Sequence, residues 1–204
     1  GLQEGKTPYN VIVGYSVEKM VRTDADFVDG YVDVSQTNAM YVGEKGLAKL
    51  KEYGWTGKAY ELQKGDFMFK DINGDGKIDW TDKGFIGRTN RPELTYGLNL
   101  DFAWNGFDFN AQFTGGSMFD VSLTGTYYNG NDDNTIWTQT FKENANSPLF
   151  LVENAYSIYN PDGTFPRLTL GAPGHGGDNG LSSTFWLRDG KYVRLKSAQL
   201  GYTF

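Results

Sequence analysis

The sequence predicts an all-β protein with one short helix, on the strength of three observations. Residues 94–114 alternate apolar and polar side chains on both sides of an Asn-Gly pair. The 204 residues include 27 glycines and are 16% aromatic, which suits many turns and strands. A helical period is confined to residues 44–53.

Taken in order, residues 9–15 (Tyr9, Asn10, Val11, Ile12, Val13, Gly14, Tyr15) read as a strand, and residues 17–21 continue it less regularly. Phe27, Tyr31, Val32 and Val34 mark short extended pieces in a mixed segment. Over residues 44–53, Leu47 and Leu50 share one helical face and Gly54 stands where the chain must leave the helix. This predicts a solvated surface helix that caps a loop.

Residues 71–82 carry the sharpest local motif. Asp71, Asn73 and Asp75 occupy positions 1, 3 and 5 of a calcium-type loop, with Gly76 at the tight turn. Lys77 offers its carbonyl at position 7, Asp79 stands at position 9 and Asp82 at position 12. Six to eight oxygens suit a hard cation, so this spacing predicts a bound Ca²⁺. Phe67, Met68 and Phe69 read as a strand ahead of it, and Gly84 and Gly87 interrupt any helix on its far side. The loop is therefore predicted to stand alone, not between two helices. The bland alternative is an Asx-rich turn that holds no metal.

From Leu94 to Trp104 every even position is apolar, and from Phe107 to Phe113 every odd one is. A two-residue type I′ turn at Asn105 and Gly106 requires that change of parity. This fixes the register: Trp104 faces Phe107, Phe102 faces Phe109, Leu100 faces Ala111 and Leu98 faces Phe113. Asp101 with Asn110 and Asn99 with Gln112 fall on the other face. A soluble sandwich would bury the apolar face against a second sheet. An outer-membrane barrel would turn it to lipid. Strand length near ~9–11 residues, aromatics beside a short turn and a long next connection all suit lipid. Periodicity alone leaves both open.

Residues 117–190 show little periodicity and read as one long, functional loop. Tyr127, Tyr128, Trp137 and Trp186 are its candidate substrate-stacking residues, and His175 reads as a loop residue. Alternation returns near the end, with Ala198, Leu200, Tyr202 and Phe204 on one parity and Val193 and Leu195 on the other. A bulge, or a strand half that stands above a bilayer, would account for the switch.

Composition narrows the chemistry. A net charge of −6 argues against nucleic acid as a partner. With no cysteine and one histidine, thiol catalysis, cysteine-ligated zinc and histidine triads are not expected. A glycosidase would need two carboxylates at a fixed separation, ~5–5.5 Å or ~6.5–9.5 Å, and no motif sets one. No enzymatic activity is predicted. No apolar run reaches the ~18 residues of a membrane helix, so any crossing must be by strands. Residues 1–4 have none of the character of an export signal.

Several spaced motifs together resemble one family. They are Gly65-Asp66, the 71–82 loop, Ile86-Gly87, Pro92, Tyr96-Gly97, Asn105-Gly106-Phe107-Asp108, Trp137 and Pro166-Arg167. The run from Ser182 through Trp186, Arg188, Asp189 and Gly190 to Lys196, with Leu200-Gly201-Tyr202 after it, completes the set. In this order they resemble the SusC/RagA-like TonB-dependent outer-membrane transporters of Bacteroidetes. The resemblance covers residues 65–204, and residues 1–64 only weakly.

It implies a segment of a large antiparallel transmembrane β-barrel, of about 22 strands around a plug, with long extracellular loops. It also implies a SusD-like surface lipoprotein as partner, TonB acting through the plug, contact with outer-membrane lipid, and uptake of glycans or peptides. The 204 residues are too few for such a barrel, so part of the C-terminal half of one is expected. The expected division is 1–64 (barrel strand and extracellular loop), 65–93 (calcium-type loop), 94–116 (membrane hairpin), 117–190 (extracellular loop) and 191–204 (descending strand). The competing expectation is a soluble, calcium-stabilised β module that binds carbohydrate.

Overall fold

The computed structural model describes residues 11–123, 143, 147–168 and 177–204. Strands dominate them, and they divide into two units.

One unit joins residues 13–86 to residues 123–186. Its first part contains β1 (Val13–Gly14), β2 (Val17–Met20), β3 (Val32–Asp33), β4 (Ala39–Tyr41), α1 (Gly43–Glu52), β5 (Ala59–Glu61), β6 (Phe67–Phe69) and β7 (Gly84–Phe85). The strands form three small sheets: β1 with β7, β2 with β6, and β3-β4-β5, in which β4 and β5 run parallel. Within residues 9–15, strand structure among the described residues is limited to Val13 and Gly14.

The helix α1 is amphipathic, as predicted. Leu50 packs with Val32 and Ala39, and Gly46 lies against the Tyr31 carbonyl, where a Cβ would clash. Gly54 takes φ +73°, the left-handed conformation that ends the helix.

The segment predicted as one long loop supplies much of this unit's core. It contains a second helix, α2 (Leu149–Asn154). Leu151 and Trp186 are fully buried among Leu123, Phe165, Leu168 and Phe185. Backbone bonds join it to the first part: Tyr15 N–H to Ser182 O (2.8 Å), Thr184 N–H to Tyr15 O (3.0 Å) and Arg167 N–H to Gly65 O (3.0 Å). At the centre lies Asp66, fully buried, whose carboxylate accepts from Gln63 N–H, Arg167 Nε (2.6 Å) and Asn179 Nδ2 (2.9 Å). Asn179 Oδ1 in turn accepts the Phe67 N–H. A buried carboxylate is tolerable only when paired and hydrogen-bonded in this way.

In the other unit, β8 (Leu94–Trp104), β9 (Phe107–Ser117) and β12 (Tyr192–Tyr202), each of 11 residues, form an antiparallel sheet in the order β12-β9-β8. Beside them β10 (Asp120–Ser122) pairs with β11 (Leu187–Asp189). The hairpin has the predicted register at every pair, and Asn105 and Gly106 both take positive φ, 47° and 85°. No helix of the described residues is long and apolar enough to cross a membrane. The described strands form open sheets and do not close a barrel.

The parity switch in β12 is a bulge. Leu195 pairs with Phe113 and Ser197 with Gln112, so Lys196 is the extra residue. Ala198, Leu200 and Tyr202 then oppose Ala111, Phe109 and Phe107. One inserted residue thus returns both halves of β12 to a single apolar face.

Candidate functional site

The three long strands place their apolar residues on one side in rows. Trp104, Phe107 and Tyr202 form one row; Phe102, Phe109 and Leu200 the next; then Leu100, Ala111 and Ala198; then Leu98, Phe113 and Leu195. Leu98, Leu100, Phe102, Trp104 and Leu200 are exposed, and none of the sheet's residues belongs to a core cluster of the described residues. An apolar sheet face that no core cluster of the described residues covers is a candidate interaction surface.

Aromatic rings gather at both ends of the face. At the turn, Phe107 and Tyr202 lie 4.5 Å apart between ring centres, and Tyr202 and Phe204 5.0 Å apart. At the far end, the Tyr96 ring lies across Gly115, whose missing side chain leaves it room, and its hydroxyl donates to Tyr192 O (3.1 Å). The Tyr96 and Trp104 rows are ~26 Å apart along the strand at ~3.3 Å per residue.

The opposite face is polar. Asp101, Asn110 and Gln199 form one row, and Asn99, Gln112 and Ser197 another; Asn110 Nδ2 donates to Asp101 Oδ1. Gly201 opposes Asp108, and any Cβ there would collide with its carboxylate.

The predicted metal ligands follow one another along a single loop in the other unit, anchored by Ile78. Ile78 is buried beside Phe67 and Phe69 and bonded to β3 through Val32 O and Val34 N–H, each at 2.8 Å. Asp71 accepts from Gly74 N–H (2.6 Å) and Gly76 N–H (2.7 Å), Asn73 from Asp75 N–H, and Asp75 from Lys77 N–H. These Asx bonds coil the loop, and the donor types suit a hard cation.

Two side chains are otherwise engaged. Asp82, fully buried, accepts from Ile72 N–H and Asp79 N–H (both 2.8 Å), forming a capping box with Asp79 around the turn at residues 80–82. The Lys77 ammonium lies 3.0 Å from Asp79 and 3.9 Å from Asp75. Among the described residues, no three acidic or histidine side chains gather closely enough to hold a metal ion. A cation at this loop would compete with the Lys77 ammonium for the Asp75 and Asp79 carboxylates. The Asp79 carboxyl is held below the ordinary value, chiefly by the Thr81 hydroxyl, and its hydrogen bond pushes the Lys77 ammonium up.

Of the candidate substrate-stacking residues, Trp186 is a core residue: its ring is fully buried and its Nε1 donates to Asn179 O (2.7 Å). It offers no face to a sugar. Tyr127, Tyr128 and Trp137, and also His175, lie outside the described residues.

A cleft of about 940 Å³ in the same unit had no signal in the sequence. Its walls come from segments far apart in the chain, including Phe27, residues 61–64, Tyr156, Ile158 and Arg167.

No protein-family model matches the chain. TonB-dependent receptor P3 of Formosa agariphila is 29% identical to it over 141 residues, 68% of this chain. The matched residues span 12% of that receptor's length, so the chain is similar to one part of a TonB-dependent receptor.

Proposed function

We propose that the chain is a barrel segment of a TonB-dependent outer-membrane importer of the SusC/RagA type. It would take up glycans or peptides with a SusD-like surface lipoprotein, driven by TonB through a plug outside residues 1–204. The carrying observation is the sheet: three 11-residue strands share one apolar face that no core cluster of the described residues covers. A soluble carbohydrate-binding sandwich would need a second sheet on that face. The similarity to a TonB-dependent receptor supports the membrane reading. Leu98, Leu100, Phe102, Phe109 and Phe113 then face lipid, and Asn99, Asp101, Asn110 and Gln112 face the lumen. In the full-length protein, Leu100→Arg should cost ~2–4 kcal/mol near the bilayer midplane while Asn99→Arg is tolerated. Heat-modifiable assembly in isolated outer membranes measures both, and equal tolerance of the two would refute the orientation.

The second part of the proposal is that the 71–82 loop binds Ca²⁺ through Asp71, Asn73, Asp75, the Lys77 carbonyl and Asp82, with Asp79 direct or through water. Its donor chemistry and its coil of Asx bonds support this. The ion takes the place of the Lys77 ammonium. Calorimetry of the intact protein should then find tighter calcium binding in Lys77→Met and none in Asp75→Ala. If wild type and Lys77→Met both fail to bind, the site is rejected.

A further inference from the structure

The sheet β3-β4-β5 ends at β5, and the hydrogen-bond phase of that last strand is settled by its neighbour. Ala39 N–H donates to Lys58 O (2.9 Å) and Leu62 N–H to Tyr41 O (2.8 Å). In a parallel pair, alternate residues bond to one neighbour, so residues 58, 60 and 62 serve β4. Ala59 and Glu61 therefore aim their N–H and C=O groups away from β4, and neither meets a partner among the described residues. The chain then runs on as one wall of the 940 Å³ cleft, with Phe27, Leu62 and Tyr156 as apolar lining.

We propose that this open edge binds an extended oligopeptide as an added strand, with alternate side chains entering the cleft. An exposed edge supplies main-chain affinity, and the adjoining hollow supplies selectivity. The charges favour a basic peptide. Asp24 is paired with Lys64 (2.8 Å), Asp29 with Lys45 (2.9 Å) and Asp66 with Arg167 (2.6 Å). The Glu61 carboxylate, which also lines the cleft, has no ion pair among the described residues. Such a site needs neither membrane nor TonB to operate, so its test is separate from the importer's.

The test is titration of the full-length protein in detergent with the blocked peptide acetyl-Lys-Val-Lys-Val-Lys-Val-amide. Two further versions are used, one N-methylated at every Lys and one at every Val. Only alternate peptide residues can face β5, so one methylated version should bind at least about tenfold more weakly while the other binds like the parent. Glu61→Pro removes an outward N–H without touching the bonds to β4 and should also weaken the parent about tenfold. Glu61→Gln should weaken it without changing which methylated version fails. Equal binding of both methylated versions, or no binding of the parent up to ~1 mM, overturns the proposal. So does unaltered binding by Glu61→Pro, or displacement of the peptide by maltohexaose at equal concentration.

Discussion

Asp66 holds three segments with one carboxylate. Breaking a buried ion pair by removing one partner typically costs ~3–5 kcal/mol, because the other charge stays buried without it. Asp66→Ala should therefore loosen the unit locally. Hydrogen exchange in the intact protein should quicken at the Phe67 and Arg167 amides and stay unchanged in β8 and β9. The Lys77–Asp79 pair responds to pH in a defined window. Asp79 has its folded pKa lowered from 3.8, so its contribution is present above that value and is lost as pH falls through the lower folded pKa. Lys77 has its pKa raised from 10.5, so its contribution is complete below that value and is lost as pH climbs through the higher one. The Thr81 amide resonance should stay constant between these limits and shift beyond them. At this scale the sequence was legible where a residue acts on near neighbours, as Gly54 and Asn105 do. It was not legible for Trp186, whose burial depends on Asn179, Phe165 and Leu151, nor for Asp82, whose spacing suits a ligand and a capping box equally well.

Among the elements, the hairpin could be read because strand period and turn chemistry agree over more than twenty residues. The strands of the other unit have two to four residues, too few for a period, and owe their place to distant partners. The bulge makes a sharp test of register. Deleting Lys196 brings Leu195 and Ser197 into regular succession opposite Phe113 and Gln112, leaving every apolar residue of β12 on its present face. Deleting Gln199 instead turns Leu200 and Tyr202 to the polar face. The first deletion should assemble in outer membranes nearly as wild type, and the second should fail, as read by heat-modifiable migration.

At the scale of the molecule, connectivity decides at which end of the sheet the long connections begin and end. Leu94 pairs with Ser117 and Tyr192 with Gly116, so the chain enters β8, leaves β9 and enters β12 at the end opposite Asn105. In a barrel the tight turn belongs on the periplasmic side and the long connections outside. Tyr159, 92% exposed on a turn within residues 123–186, should then be reached by an impermeant thiol label on intact cells as Tyr159→Cys, whereas Asn105→Cys should not. Labelling of Asn105→Cys alone would invert the topology. The union of residues 13–86 with 123–186 is the part of the architecture that no local pattern announced.

The clasp at Asp66 also sets an order in time. Its partner Arg167 lies 101 positions downstream, and the acceptor for Phe67 N–H lies 112 downstream. A chain delivered N-terminus first can close the cluster of Val21, Met40, Val42, Leu62 and Met68 from its own early residues. Phe67 and Phe69 must wait for Leu181 and Phe185, and Trp186 completes the last cluster. Contacts so distant form slowly, and apolar surface left open meanwhile invites aggregation. During that interval the half-made unit depends on whatever shields nascent chains in transit.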